Sequence, residues 1–166
     1  MKSWNLNALL GAVAAAALAA TLSGTALAQG AAHDHGAAAP HKLALDAGRK
    51  WATDEPLRAG MQRIRALVAP QLQAAHAGKL TPAQYRQLAT QVETEVGGIV
   101  ANCKLEPKAD AMLHIVIADM AQGVDAMAGK NARMRPALGL VKVAQAVDQY
   151  GGHFDHPGFE PIRHVR

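Results

Sequence analysis

Histidine is the residue type in this chain that most clearly offers chemistry. Eight histidines occur among the 166 residues, and three of them, His33, His35 and His41, fall within nine positions of one another. Small residues and one aspartate separate them, and the segment has no helical or strand periodicity. Imidazole is a good ligand for Cu(II), Ni(II) and Zn(II). The pattern therefore predicts a copper, nickel or zinc site here. A solvated segment without a ligand is the alternative.

His114 is the fourth candidate metal ligand. The helical pattern around it places Asp110 one turn earlier on the same face, where a carboxylate can orient an imidazole ligand. The expected helix register puts His114 level with Met61 and Tyr150, so that a metal or a non-covalently bound haem could lie between helices. The alternative is a hydrogen-bonded pair of Asp110 and His114 with no ligand.

The remaining candidates favour structural roles. His153, His156 and His164 surround Asp155, and we expect them to help the C-terminal segment dock. Met61, Met120 and Met127 fall on apolar helical stripes, where methionine fills gaps, so a Cu(I) thioether site is not expected. Metalloprotease, di-iron, serine-hydrolase and phosphate-loop motifs do not occur in the sequence. We therefore expect a protein that is not an enzyme.

Residues 1–28 have the pattern of a secretory signal. Lys2 precedes an apolar run over residues 8–22, and Ala26-Leu27-Ala28 offers small residues at both recognition positions for cleavage before Gln29. This predicts a periplasmic protein with no transmembrane segment after residue 28. Cys103 is the only cysteine, so no intramolecular disulfide can form. The net charge of +4 is small, and we expect no nucleic-acid partner.

Apolar residues recur at helical spacing from residue 54 onwards, which predicts an all-α protein. We expect four helices, over about 54–77, 82–103, 107–128 and 136–150. Pro70 should kink the first helix, and Thr81 to Gln84 form a capping box before the second. Cys103 is expected on the buried face of the second helix. Leu138, Val141, Ala144, Val147 and Tyr150 are expected to face inward from the fourth.

The short connections between these helices predict an antiparallel up-down-up-down four-helix bundle over residues 53–150. We expect residues 29–52 to form a flexible lead that contains histidines, because they hold too few apolar side chains to bury. Gly151-Gly152 should end the last helix. The tail over residues 151–166 contains both phenylalanines of the chain, Phe154 and Phe159, which we expect to pack against the bundle.

Three separated stretches carry a resemblance to a known family. They are residues 50–58 (KWATDEPLR), residues 99–114 (IVANCKLEP followed by AD and LH), and Tyr150 with residues 154–158 (FDHPG). In these the chain resembles a set of small exported bacterial proteins labelled DnrO protein, over essentially the whole length after residue 28. The resemblance implies an exported helical domain. It implies no particular chemistry and no DNA-binding role.

The sequence thus predicts an exported helical bundle of the binding or accessory class, with transition-metal affinity through histidines. One alternative is a structural or partner-binding bundle whose histidines are incidental. The other is a carrier of non-covalent haem that uses Met61 or His114.

Overall fold

The computed structural model describes residues 42–162. The regular secondary structure of this part of the chain is helical, with no β-strand. The predicted all-α class is therefore confirmed, whereas residues 1–28 and His33, His35, His41 and His164 lie outside the described part. No helix within residues 42–162 is both long enough and apolar enough to cross a membrane. The helices are α1 (Glu55–Val68), α2 (Leu72–His76), α3 (Pro82–Asn102), α4 (Pro107–Met127) and α5 (Pro136–His153).

Pro70 divides the first predicted helix in two. A 3-10 turn over Ala69–Gln71 separates α1 from the five-residue α2. The proline nitrogen has no hydrogen to donate, and its ring clashes with the carbonyl four residues earlier. The interruption expected at Pro70 is thus present, as a short 3-10 turn between two α-helices.

The helix starts follow from local hydrogen bonding. The Asp54 carboxylate accepts from the backbone N–H of Leu57 and caps α1. The capping box before α3 is confirmed: the Gln84 backbone N–H donates to Thr81 Oγ1, and the Thr81 backbone N–H donates to Gln84 Oε1. These bonds satisfy backbone donors that have no partner within a helix. Proline is the first residue of α3, α4 and α5.

One continuous apolar core joins the helices. The main contacts are between α4 and α5, between α1 and α3, and between α3 and α4, and every fully buried side chain among residues 42–162 is apolar, tyrosine included. Burial of these side chains supplies the main driving force for folding. The largest of them are Tyr150, Phe154, Leu57, Met61, Ile64, Leu72, Ile99, Leu113, Met120, Met127 and Leu140.

Glycine allows α4 and α5 to come very close. A Cβ atom on Gly123 would lie 2.6 Å from the carbonyl oxygen of Gly139, and a Cβ on Gly139 would lie 2.6 Å from that of Gly123. A side chain at either position would push the two backbones apart. This contact also fixes which face of α5 is buried, because Gly139 must point at α4.

The prediction of which α5 residues face inward was wrong for the first turns of the helix. Leu138 is 49% exposed and Val141 is half-buried, whereas Leu140 and Val143 are fully buried. The sequence offers two overlapping apolar stripes in this helix, and the Gly139 contact with α4 selects the one that begins at Leu140.

The predicted end of α5 was also wrong, because the helix continues through Gly151 and Gly152 to His153. A Cβ atom on Gly151 would lie 3.0 Å from the ring of Phe159. This glycine therefore makes room for an aromatic ring and does not end the helix.

Candidate functional site

His114 lies on the surface of α4. Its side chain is 62% exposed, and its Nδ1 lies 2.9 Å from the backbone oxygen of Asp110 and 3.3 Å from the carboxylate Oδ2 of the same residue. The pairing predicted from their spacing is present. Because both contacts use Nδ1, Nε2 is the nitrogen that remains to bind a ligand.

The interior site suggested by the sequence does not form. Met61 and Tyr150 are 1% and 0% exposed within the core, whereas His114 faces solvent. Met120 and Met127 are also fully buried, in the core positions expected for them. No group of three or more His, Cys, Asp or Glu residues within 42–162 is close enough to hold a metal ion.

Aromatic rings form a compact cluster at the C-terminal end of α5, which we call the aromatic end: Tyr150, Phe154, His156 and Phe159. Tyr150 stacks on Phe154 with ring centroids 5.2 Å apart, and Phe159 meets Tyr150 edge-on at 5.1 Å. Phe154 is fully buried. Both phenylalanines thus pack against the helices, as the sequence predicts, and offset or edge-on contacts of this kind add to the effect of burial.

A hydrogen bond joins the only two polar groups of the aromatic end. The Tyr150 hydroxyl lies 2.9 Å from His156 Nδ1. Burial raises the pKa of Tyr150, with Asp54 and Asp155 adding to the rise and Arg58 opposing it, so the hydroxyl stays protonated. Burial, helped by the positive charge of Arg58, lowers the pKa of His156, so its ring is neutral at pH 7. The pair is therefore an uncharged, internally satisfied unit.

Residues 42–52, which we expected in the flexible lead, make specific contacts in this structure. The Trp51 backbone N–H donates to the carbonyl oxygen of His153 at 2.8 Å, and the Asp155 backbone N–H donates back to the carbonyl of Trp51 at 2.8 Å. The Trp51 indole N–H donates to the carbonyl of Ala44. The start and the end of the described chain are thus joined beside the aromatic end.

A small polar cleft opens next to this junction. It has a volume of about 460 Å³ and is lined by Thr53, Arg58, Asp155 and His156 among others. The Arg58 guanidinium donates to both the carbonyl and the hydroxyl oxygen of Thr53. The Asp155 carboxylate and the Arg58 guanidinium both line the cleft, so their charges largely offset each other. The hydrogen bonds of Arg58 to Thr53 help to hold the chain ends in place.

Cys103 caps the end of α3 and is half-buried, with its side chain packed against the edge of the core, so its predicted place on the buried face is confirmed only in part. Its backbone N–H donates to the carbonyl oxygen of Ile99. Burial, with the nearby charges of Asp54 and Asp110, raises the pKa of the thiol. The thiol form is a poor nucleophile, so nothing here indicates a reactive cysteine.

An apolar cleft lies at the opposite, N-terminal end of α5. It has a volume of about 570 Å³ and runs between the segment that joins α2 to α3 and the first turns of α5. The cleft could not be predicted from the sequence, because its lining residues come from two distant stretches of the chain and its leucines and valine resemble core residues. The lining residues are Ala75, His76, Gly78, Leu80, Pro82, Tyr85, Arg135, Pro136, Ala137, Leu138 and Val141.

Comparison of the chain with family models, with curated proteins and with solved structures finds no match.

Proposed function

We propose that the chain is an exported, periplasmic helical bundle of the binding or accessory class, with transition-metal affinity through histidines and no enzymatic activity of its own. Export is supported by the charged start, apolar run and small-residue cleavage pattern of residues 1–28. The binding class is supported by His114, whose Nδ1 is held by Asp110 while the ring stays exposed.

An antiparallel bundle is part of this proposal. Contacts between neighbouring helices, and between the residues that flank them, pair rising residue numbers on one side with falling numbers on the other. That order is expected when neighbouring helices are antiparallel. The supporting pairs are Arg63 with Glu95 and Asp54 with Lys104 for α1 and the α3 segment, and Asp119 with Lys142 and Gly123 with Gly139 for α4 and α5.

Relationship to the DnrO-like proteins is also part of the proposal. The three stretches that carry the resemblance, residues 50–58, 99–114 and 150–158, lie far apart in the sequence. Hydrogen bonds nevertheless link the first stretch to each of the others. The Lys104 backbone N–H donates to the Asp54 carboxylate Oδ2 at 2.6 Å, and the Asp155 backbone N–H donates to the carbonyl oxygen of Trp51 at 2.8 Å.

The donors proposed for the metal are His33, His35 and His41, with His114 as a separate, weaker position. Three imidazoles within nine residues can reach a single ion if the segment folds around it. Ordering that segment costs about 1–2 kcal/mol per residue in backbone entropy, so the affinity should be modest. His114 alone supplies one nitrogen, and a single imidazole holds an ion weakly.

Calorimetric titration of the untagged protein with Cu(II) or Ni(II) tests this proposal. The variant in which His33, His35 and His41 are all alanine should lose binding of the ion, and the thermal midpoint should not change. His114→Ala should remove only a weaker binding event, and His76→Ala, on the exposed end of α2, is the matched control. Unchanged uptake by the triple variant, or no uptake by the parent protein, would contradict the proposal.

Two alternatives have distinct signatures in the same preparation. A structural or partner-binding bundle would take up neither Cu(II) nor Ni(II), and elemental analysis of the native protein would find no metal. A carrier of non-covalent haem would retain visible colour through purification. Binding of haem by Met61 would require a rearrangement of the core, because the Met61 side chain is fully buried.

A further inference from the structure

We propose that the apolar cleft at the N-terminal end of α5 binds a single-chain amphiphile with an anionic head group, such as a fatty acid carboxylate. This site is separate from the metal ligands proposed above, His33, His35, His41 and His114, and does not depend on them. Three observations carry the proposal: the lining of the cleft, its size, and the charge of the chain around it.

Most of the lining residues are apolar, and the cleft is partly open to solvent. Leu138 is 49% exposed there, although α5 has enough apolar residues to fill its core stripe without it. Leu80, Ala137 and Val141 also line the cleft and are only half-buried. Covering this surface with a hydrocarbon chain would remove apolar area from water, which favours binding.

The size fits a small molecule better than a protein element. The cleft volume of about 570 Å³ lies within the range of small-molecule sites, roughly 300–1,000 Å³. An amphipathic helix needs a longer groove, with anchor positions over two or more turns.

The charge around the cleft selects an anionic head group. No aspartate or glutamate occurs in residues 56–92 or in residues 126–147, the two stretches that supply every lining residue. Arg135 lines the cleft, and Lys79 lies between two lining residues. Neither takes part in an ion pair within residues 42–162, whereas Lys130 and Lys142 are paired with aspartates. A carboxylate beside Arg135 would form a charge-assisted hydrogen bond.

Isothermal titration calorimetry with sodium decanoate, below its micelle concentration, is the test. The full untagged chain should bind one decanoate, and decyltrimethylammonium, which has the same chain and the opposite charge, should bind at least about 10-fold more weakly. Arg135→Gln should weaken decanoate binding by roughly 3- to 10-fold, because the lost ion pair is partly exposed. Leu138→Gln should weaken both probes.

Arg133→Gln is the matched control, because Arg133 is exposed, lies two residues before Arg135 and does not line the cleft. It should change the affinity for decanoate by less than about 2-fold. Circular dichroism would establish that each variant keeps its helices, as expected for substitutions at exposed positions. The proposal would be overturned if decanoate did not bind, or if the cationic probe bound with equal affinity. It would also be overturned if Arg133→Gln and Arg135→Gln lost equal affinity for decanoate.

Two further measurements distinguish other occupants. Sedimentation of the parent protein should give a monomer, and a dimer that Leu138→Gln dissociates would identify the cleft as an interface between copies and overturn the proposal. Vesicles that contain anionic lipid should not bind the protein when monomeric decanoate does. Vesicle binding without decanoate binding would identify a membrane-facing surface instead.

Discussion

The two ends of α5 differ in how the chain has used its apolar side chains. At the aromatic end, Phe154 is fully buried, Phe159 packs against Tyr150, and the Tyr150 hydroxyl has a partner in His156. At the other end, Leu138 is half exposed beside an open cleft. The aromatic end stabilises the fold, and the N-terminal end leaves apolar surface exposed that a ligand can cover. A buried, satisfied cluster stabilises the fold, whereas an exposed apolar patch indicates an interaction site.

The largest expected effect comes from removing the centre of the aromatic end. Phe154→Ala should lower the free energy of unfolding by about 3–5 kcal/mol, because it leaves a cavity beneath Tyr150 and loses the ring stacking. Urea denaturation followed by circular dichroism would measure it. A loss of less than about 1 kcal/mol would mean that this end does not hold the chain together.

A smaller loss is expected where α4 meets α5. Gly123→Ala places a Cβ atom against the backbone oxygen of Gly139, and the helices must separate, which should cost about 1–3 kcal/mol. Gly97→Ala is the matched control in α3, where a Cβ meets nothing within 4 Å. It should raise stability by about 0.5–1 kcal/mol, the usual gain from replacing a helical glycine with alanine. Losses of equal size in both variants would contradict the close approach.

The hydrogen bond of the aromatic end predicts a pH dependence. The pKa of His156 is lowered in the folded protein, so the unfolded chain binds more protons between that pKa and the ordinary value of 6.5. The stability from neutral His156 is complete above pH 6.5 and is lost as the pH falls through the folded pKa. His156→Gln should remove this part of the pH dependence. Parallel stability–pH curves for the variant and the parent would contradict the assignment.

At neutral pH, where the ring is uncharged, truncation of the same histidine tests its hydrogen bond to Tyr150. His156→Ala leaves the buried Tyr150 hydroxyl without its partner and should cost about 1–3 kcal/mol. Tyr150→Phe in the His156→Ala background removes that unsatisfied hydroxyl and should recover part of the loss. Thermal unfolding of the two variants side by side would measure the difference, and further destabilisation by the second substitution would count against a hydrogen bond in the parent.

The smallest effect is expected at the apolar cleft. Leu138→Ala should change the free energy of unfolding by no more than about 0.5 kcal/mol, because the side chain is already half exposed. Set beside Phe154→Ala, it compares two apolar residues at opposite ends of one helix. A loss near that of Phe154→Ala would mean that Leu138 belongs to the core and that the cleft is closed in solution.

The helices could be predicted because their signals are local. Thr81 and Gln84 form a capping box within four residues, and Pro70 interrupts a helix wherever it packs. The face of α5 could not be predicted the same way. Two apolar stripes overlap there, and the choice depends on the contact of Gly139 with Gly123, a residue on another helix.

The candidate sites show the same difference between local signals, which could be predicted, and contacts between distant residues, which could not. The spacing of Asp110 and His114 within one helix was enough to predict their contact. That His114 faces solvent and not Met61 could not be predicted, because the direction of its side chain depends on how α4 is rotated against the core. The apolar cleft joins residues near 80 to residues near 138, and only packing decides whether such residues are covered. Its charge could have been noticed, because two long stretches contain no acidic residue.

The contrast between the two ends of α5 is tested most directly by nuclear magnetic resonance. Amide shifts of uniformly 15N-labelled protein would be followed during a titration with sodium decanoate. We predict saturable shifts confined to residues 75–85 and 135–141, with residues 51–58 and 150–159 unchanged. Shifts centred on the aromatic end, or no saturable shifts in either region, would contradict the assignment of a structural role to one end and a ligand site to the other.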